Sequence, residues 1–403
     1  MSSSTPTLPT RKTPGWEFTD LEGLDEAVFV PAEAGDAKAL DRVDAPLKVP
    51  EGSRELIQID GGAIDAGLTS DPGESPIEPV VCSLEAAREA WPGLVESKLG
   101  SLVDPDDPFV ARNDQTWRGG AFIYVPKGKR LEETAGLQAI QASAESALSY
   151  RTLIILEAEA QAEVWEQWLT ADGLEGTTFN TVTEIFVGPA AQLRYVNAQA
   201  LSDSGWVFAS QRAEVEREGS LDWVSLGFGG GGGKVRMDTR LAGQGSEAKV
   251  TGAYAGNGDQ HLDFDTTQVH GAPSTTSDLA FRGVLAETAT SVWRGMIRVE
   301  PGAQQTDAFQ ESRNLLLSRE AHSDAIPGLE IEADDVRCTH AAAVAQLDPE
   351  QLYYLRSRGL PEEKARQVVI EGFLEALVER LSDGPVRDQV SAALEERLDQ
   401  ILA

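Results

Sequence analysis

Beyond Asp114 the chain changes to β character, in short apolar runs and in strands whose apolar and polar residues alternate, the period that sends successive side chains to opposite faces. Ala121-Phe122-Ile123-Tyr124-Val125, Thr152-Leu153-Ile154-Ile155-Leu156, Thr183-Glu184-Ile185-Phe186-Val187 and the run Ser291 to Val299 are β-branched or aromatic and bounded by Gly, Pro or Ala-rich turns. A loose repeat, a small or glycine turn followed by an alternating strand, recurs through this region. Its markers Val164, Val196, Val224 and Val250 are spaced by 32, 28 and 26 residues. A strand-built period in the range of roughly 20 to 50 residues signals a solenoid or a propeller. No amphipathic helix separates the strands, so βαβ units are not expected, and a β-solenoid or an elongated sandwich is.

The flanks follow other rules. From about Gly15 to Pro108 the pattern is mixed, with a short apolar run at Leu56-Ile57-Gln58-Ile59 and a helix expected from Ser83 to Leu99, capped by Ser83. At the far end Asp348, Pro349 and Gln351 stand at an N-cap, a first helical position and a third one, and Gly359 stops that helix. A second helix, Pro361 to Leu381, carries Ala365, Val368, Val369, Phe373, Leu377 and Leu381 on one stripe. After the turn Asp383-Gly384-Pro385, a third stripe runs through Val386, Val390, Leu394, Leu398 and Leu402. Such helices either bind a partner or cover an end of the β region, and covering an end is the simpler expectation.

Composition narrows the function. The 34 Lys and Arg stand against 66 Asp and Glu, a formal charge of −32 that repels phosphate backbones and anionic lipid, so nucleic acid and membrane are not expected partners. No stretch reaches the roughly 18 uninterrupted apolar residues of a membrane helix. Met1 to Thr10 lacks a basic start and an apolar run, so a loose tail is expected there in place of a signal peptide. Two cysteines, Cys82 and Cys338, form no disulfide framework, which suits a reducing cytoplasm. The glycine run before Lys234 is not a phosphate loop, because Phe228 and Val235 occupy the positions of its first glycine and its magnesium-binding hydroxyl. A flexible hairpin tip is expected instead, with no ATP site in this chain.

The densest chemistry lies between Asp334 and Gly359. Cys338 and His340 are two apart, so in a strand both side chains leave one face and can approach a single metal atom. Two ligands do not close a structural site, and the rest would have to come from elsewhere in the chain or from another subunit. His261, His270 and His322 are read as solvated residues. The acidic run Glu330-Ile331-Glu332-Ala333-Asp334-Asp335 is read as a strand with a wet face.

Several motifs in order resemble one family. They are Thr13-Pro14-Gly15-Trp16-Glu17-Phe18-Thr19-Asp20-Leu21, Tyr124-Val125-Pro126-Lys127-Gly128, Thr275 to Asp278 with Phe281 to Leu285, Ser291 to Ile297, Asn314 to Ser318, and the Asp334 to Gly359 stretch. Over about Thr13 to Leu381 the chain resembles the SufB/SufD family of iron–sulfur cluster assembly scaffolds. The resemblance implies a mainly β fold, a right-handed parallel β-helix over 115–345. Around it stand a tail at 1–12, an N-terminal helical or mixed region at 13–114 and C-terminal helices at 346–403. It also implies pairing with a SufB-like subunit, recruitment of a SufC-like ABC-type ATPase through the C-terminal helices, and a transient iron or iron–sulfur cluster at the subunit interface. Flavin is assigned to no residue.

Within the family, SufB-type chains carry a cysteine before the last strands and a glutamate after the histidine. Phe309 to Leu316 here contains no cysteine, and Ala341 follows His340. Arg337-Cys338-Thr339-His340 is similar to the K-C-S-H of SufD-type chains, while Ala341 departs from their usual glycine, a change of backbone space and not of ligand chemistry. The resemblance makes His340 the candidate iron or cluster ligand across the interface, with Cys338 as a second ligand, a sulfur relay or packing. Two rivals stand beside a non-enzymatic scaffold. One is a homodimeric iron or cluster carrier that needs no SufB. The other is a carbohydrate-active β-solenoid enzyme, for which no acid and base are marked in a cleft.

Overall fold

The computed structural model describes residues 7–22, 24, 29–33, 35–64 and 73–402; part of the tail expected at 1–12 lies outside them. Two sheets run along one axis. An N-terminal hairpin, β1 (Arg54–Ile59) with β2 (Gly62–Ile64), starts the first, and β3 (Val80–Ser83) pairs antiparallel with β4 (Ala121–Val125) to start the second. The chain then alternates between the sheets. It runs through β5 (Ala135–Gln141), β6 (Ala147–Leu156), β7 (Gln161–Thr170), β8 (Thr178–Val187), β9 (Gln192–Leu201), β10 (Trp206–Val215), β11 (Ser220–Gly229) and β12 (Gly232–Leu241). It continues through β13 (Glu247–Gly256), β14 (His261–His270), β15 (Thr276–Leu285), β16 (Thr290–Val299), β17 (Thr306–Leu316), β18 (His322–Ile331) and β19 (Val336–Gln346). Odd-numbered strands from β5 stack in parallel on β1, and even-numbered ones from β6 stack in parallel on β4. The result is the expected parallel β-solenoid.

Register explains the repeat and corrects it. In the first sheet Val164, Tyr195, Trp223, Val250 and Leu279 stack as one column in the interior between the sheets. The adjacent column, Trp165, Val196, Val224, Thr251 and Ala280, faces outward. The markers read from the sequence therefore slip by one residue between two columns, and a one-residue slip changes the face. Interior packing is aromatic: Tyr195 meets Trp223 edge-on at 5.5 Å between ring centres, and Tyr254 stacks on Phe264 at 5.2 Å. One turn column repeats a left-handed residue at Glu159, Ala190, Glu218, Gly245, Ser274 and Gln305. Each of their amides donates to a carbonyl of the next turn, such as Glu159 N–H to Pro189 O at 2.8 Å, so the turns form their own hydrogen-bonded ladder.

The glycine run is not a flexible tip. Gly229 and Gly233 are buried with φ of 69° and 125°, and an added Cβ would fall 1.9 Å from Leu201 O and Val207 O respectively. Glycine is needed there because the turn between β11 and β12 presses onto the preceding one. His270 is likewise no loop residue, as it lies fully buried at the end of β14.

Helices α1 (Leu84–Ala90) and α2 (Pro92–Lys98) pack on the outer face of the first strands of the second sheet, around Trp91, Phe122 and Leu153. The expected single helix from Ser83 to Leu99 is broken because Pro92 lacks an N–H and restarts the helix. Helix α3 (Pro108–Thr116) lies on β6, β8 and β10. Arg151 and Glu184, both fully buried, fasten this region: Arg151 reaches Asp114 at 2.7 Å and Glu184 at 3.4 Å, while Glu184 accepts from the amides of Gly100 and Leu102 at 2.7 and 2.9 Å. Around Trp16 the chain crosses the outside of the second sheet, with Trp16 against Phe109 and Phe208 and Glu17 on Arg294 at 2.9 Å.

Helices α4 (Pro349–Ser357), α5 (Glu362–Val378) and α6 (Pro385–Leu402) follow the last strand. Asp348 caps α4 by accepting from Glu350 N, and Gly359 ends it with φ of 95°. Ile370, Leu374, Leu377, Val390, Leu394 and Leu398 bury the α5–α6 pair against Val196, Val224, Ala253 and Ala280 of the first sheet. The helices therefore pack on the side of the solenoid. They do not cover its end, the reverse of the simpler expectation.

Candidate functional site at the open end of the solenoid

Among the described residues, the last turn, β18 and β19, has no strand beyond it. Its inner positions continue the interior columns: Cys338 stands next to Ala308 and His340 next to Gln310 in register. Cys338 and His340 therefore both face the interior at its uncovered mouth, as their spacing requires. Their environments differ. Cys338 is partly buried against Ile297, Val299, Ala303 and Ala308, and burial, with Asp307 adding to it, pushes its thiol up. A preformed thiolate is not favoured there. His340 is exposed and, among the described residues, has no hydrogen-bond or ion-pair partner.

Gln310, one turn below His340, is fully buried and donates from Nε2 to Gly295 O at 3.2 Å and to Gly328 O at 3.1 Å. It ties β17 to both strands of the opposite sheet and so fixes the floor of the mouth. Sequence reasoning missed it, because a glutamine inside an alternating strand carries no mark of its cross-strand partners. The rim is asymmetric. On β18 the edge holds Asp324, Pro327 and Glu330, whereas β19 presents the small side chains Ala341, Ala342, Ala343 and Ala345.

The other candidates separate. His270 holds Thr275 Oγ1 at 2.7 Å and Ser277 Oγ at 2.8 Å through its two ring nitrogens, and burial lowers its pKa to about 4, so it is a neutral structural residue. His261 binds Thr290 Oγ1 at 2.8 Å and is also pushed down by burial. His322 is exposed beside Asp324 at 3.3 Å, as expected of a solvated residue. The acidic run leaves β18 at Ile331 and turns, and Glu330 pairs with Arg298 at 3.7 Å. Among the described residues no three His, Cys, Asp or Glu side chains converge to hold a metal ion. His340 and Cys338 are thus a partial donor set, one soft and one borderline donor, open towards whatever meets this end.

A second exposed region lies at α4, none of whose residues is buried. Tyr353 and Tyr354 are 74 % and 57 % exposed, and a cavity of about 840 Å³ opens between Tyr354, Leu347, Val369 and Phe373. No helix is long and apolar enough to cross a membrane among the described residues.

Comparison with known proteins bears on both regions. Residues 139–373 match the family model described as SUF system FeS cluster assembly, SufBD core domain. The chain is 33 % identical over 320 residues to the iron–sulfur cluster assembly protein SufD of Bacillus subtilis, covering 78 % of this chain and 72 % of that one. It is 30 % identical over 301 residues to SufB of the same organism, covering 73 % and 62 %. It is 28 % identical over 312 residues to the SufBD family protein Rv1462 of Mycobacterium tuberculosis, covering 75 % and 77 %. The matched span runs from the first full turns of the solenoid to α5, so this chain belongs to the SufB/SufD family of iron–sulfur cluster assembly proteins.

Proposed function

We propose that the chain is a non-enzymatic scaffold subunit that pairs through the open end of its solenoid with a SufB-like subunit, and that iron or a nascent cluster is the cargo of their interface. The observation that carries this reading is the uncovered last turn with His340 and Cys338 on the inward columns at its mouth. An edge strand with unpaired backbone groups is a template for a partner strand. β19 is the better template of the two, because its run of alanines lets another strand approach, while Pro327 offers β18 one donor fewer. His340 supplies a neutral imidazole, the partner completes the ligand set, and Cys338 supplies sulfur once its proton is displaced. The exposed tyrosine face of α4 and the cavity behind it suit a SufC-like ATPase, which would bring the ATP chemistry this chain lacks.

The test is the native mass of the particle formed on anaerobic co-expression with SufB-like and SufC-like proteins of the same source. One copy of this chain, one SufB-like chain and two SufC-like chains is the expected result. A homodimer that ignores both partners and holds iron unaided would overturn the pairing and favour the carrier alternative. His340→Ala should keep the native mass and lower cluster yield; an unchanged yield removes the ligand role without touching the pairing.

A further inference from the structure

Residues 7–22 cross the outer face of the second sheet without joining it. Among the described residues their backbone–backbone hydrogen bonds are all internal, such as Trp16 N to Thr13 O at 3.0 Å and Thr19 N to Trp16 O at 3.3 Å. The first main-chain tie to the solenoid comes later, where Ala32 N donates to Ala147 O at 3.0 Å. Side chains hold the segment down. Trp16, 4 % exposed, packs on Phe109 and Phe208 with ring centres 5.1 and 6.2 Å away. Glu17 pairs with Arg294 at 2.9 Å, and the Thr19 hydroxyl donates to Asp263.

Beneath the segment lies a buried ion pair. Lys234 of β12 and Asp263 of β14, each 3 % exposed, meet at 2.7 Å. The Trp16 ring stands 5.6 Å from Lys234 Nζ and 5.2 Å from the Arg236 guanidinium. Asp263 Oδ1 is buried without a hydrogen-bond partner. Stripping water from a charged pair opposes closure, and an unmet carboxylate oxygen adds to that penalty. The burial of Trp16 and the contacts of Glu17 and Thr19 must offset it, so the closed state rests on few side chains. A segment with few anchors and no ladder of hydrogen bonds opens at a lower free energy than the strands under it. We propose that residues 7–22 are a releasable strap, and that the surface beneath is a receptor for an extended segment carrying a tryptophan, a carboxylate and a hydroxyl, filled in cis by Trp16, Glu17 and Thr19. The closed strap masks an aromatic patch, Phe109, Phe208 and Trp206, beside Lys234 and Arg236.

The probe is a fluorescein-labelled peptide with the sequence of Leu8 to Leu21, added to full-length chains. Trp16→Ala empties the aromatic pocket of its own occupant and should bind the peptide saturably, one per chain. The parent should bind it at least about tenfold more weakly, because its tethered strap competes at a high effective concentration. A peptide carrying Trp16→Ala should bind neither chain. Absence of saturable binding to the Trp16→Ala chain, or equal binding to the parent, overturns the receptor. Hydrogen exchange in the parent decides the matter even where that variant does not fold. The amides of Trp16 and Thr19 should exchange faster than those of β12 and β14, and with a weaker dependence on urea. Exchange of both at the rate of the strands would make the segment part of the core and overturn the strap.

Discussion

Glu166 offers the sharpest test of the interior. Its carboxyl is fully buried in the same column parity as Val164 and Trp168. It is hydrogen-bonded to the hydroxyls of Thr152 and Tyr195, with Tyr150 nearby, and no cation pairs with it among the described residues. Burial raises its pKa above the ordinary 4.5, against the lowering effect of those hydroxyls. For a carboxyl whose folded pKa is raised, the unfolded chain gives up its proton first as pH rises. Stability linked to Glu166 is therefore complete below about pH 4.5 and is lost as pH rises towards the folded value, at about 1.4 kcal/mol per unit separating the two. Glu166→Gln keeps the shape and cannot ionise. The variant should match the parent to within about 1 kcal/mol in acid and become the more stable of the two as pH rises. Urea unfolding of both proteins at steps from about pH 4.5 to about pH 8 reads this difference, provided the dependence on urea concentration is unchanged. Infrared difference spectra of parent against variant give a direct check: as pH rises, the carbonyl stretch of the Glu166 acid should persist above the ordinary carboxyl value of 4.5 and be missing in the variant. A stability difference that does not move with pH, or an acid band lost as early as that of ordinary carboxyls, would refute the reasoning.

Three further outcomes follow from the geometry. Arg151→Met leaves Glu184 charged in the interior and should cost about 3 to 5 kcal/mol, with amide exchange at Gly100 and Leu102 rising before exchange in the solenoid; Arg151→Met/Glu184→Gln should recover much of the loss in a double-mutant cycle. Gly229→Ala drives a methyl into Leu201 O at a positive φ and should cost about 2 to 4 kcal/mol, seen as a lowered midpoint of denaturation, whereas a neutral result would mean that the turn is free to move. Glu159→Gly relieves a left-handed non-glycine residue with φ of 61° and should stabilise by about 0.5 to 1 kcal/mol, with a loss of stability counting against strain in the turn ladder.

Strand identity was legible because side-chain type and turn boundaries are local. Ala121 to Val125, a β-branched and aromatic run, is a strand from end to end, and Asp348 caps its helix as read, since each depends on a few neighbouring residues. The Cys338 and His340 pair was legible for the same reason: two residues apart in any strand means one face. Pro92 shows the limit of apolar pattern when one residue lacks its N–H, and the fault was readable in advance. The mismatched markers Val164 and Val196 show a deeper one, because which residue opposes which depends on the length of every turn between them.

By itself, then, the order of residues determined most strands, the caps and the chemistry of the candidate ligands, which follow from local geometry and side-chain type, and it narrowed the β region to a solenoid or a sandwich, between which only the family resemblance chose. Only the tertiary structure decided that the C-terminal helices lie along the first sheet and leave the last turn open. The same holds for the burial of His270 between two hydroxyls, and for the glycine run, which is a close contact and not a loose tip. The physical reason is common to all three: burial and edge exposure are properties of what the rest of the chain covers, and stacking neighbours some thirty residues apart sets them in this fold.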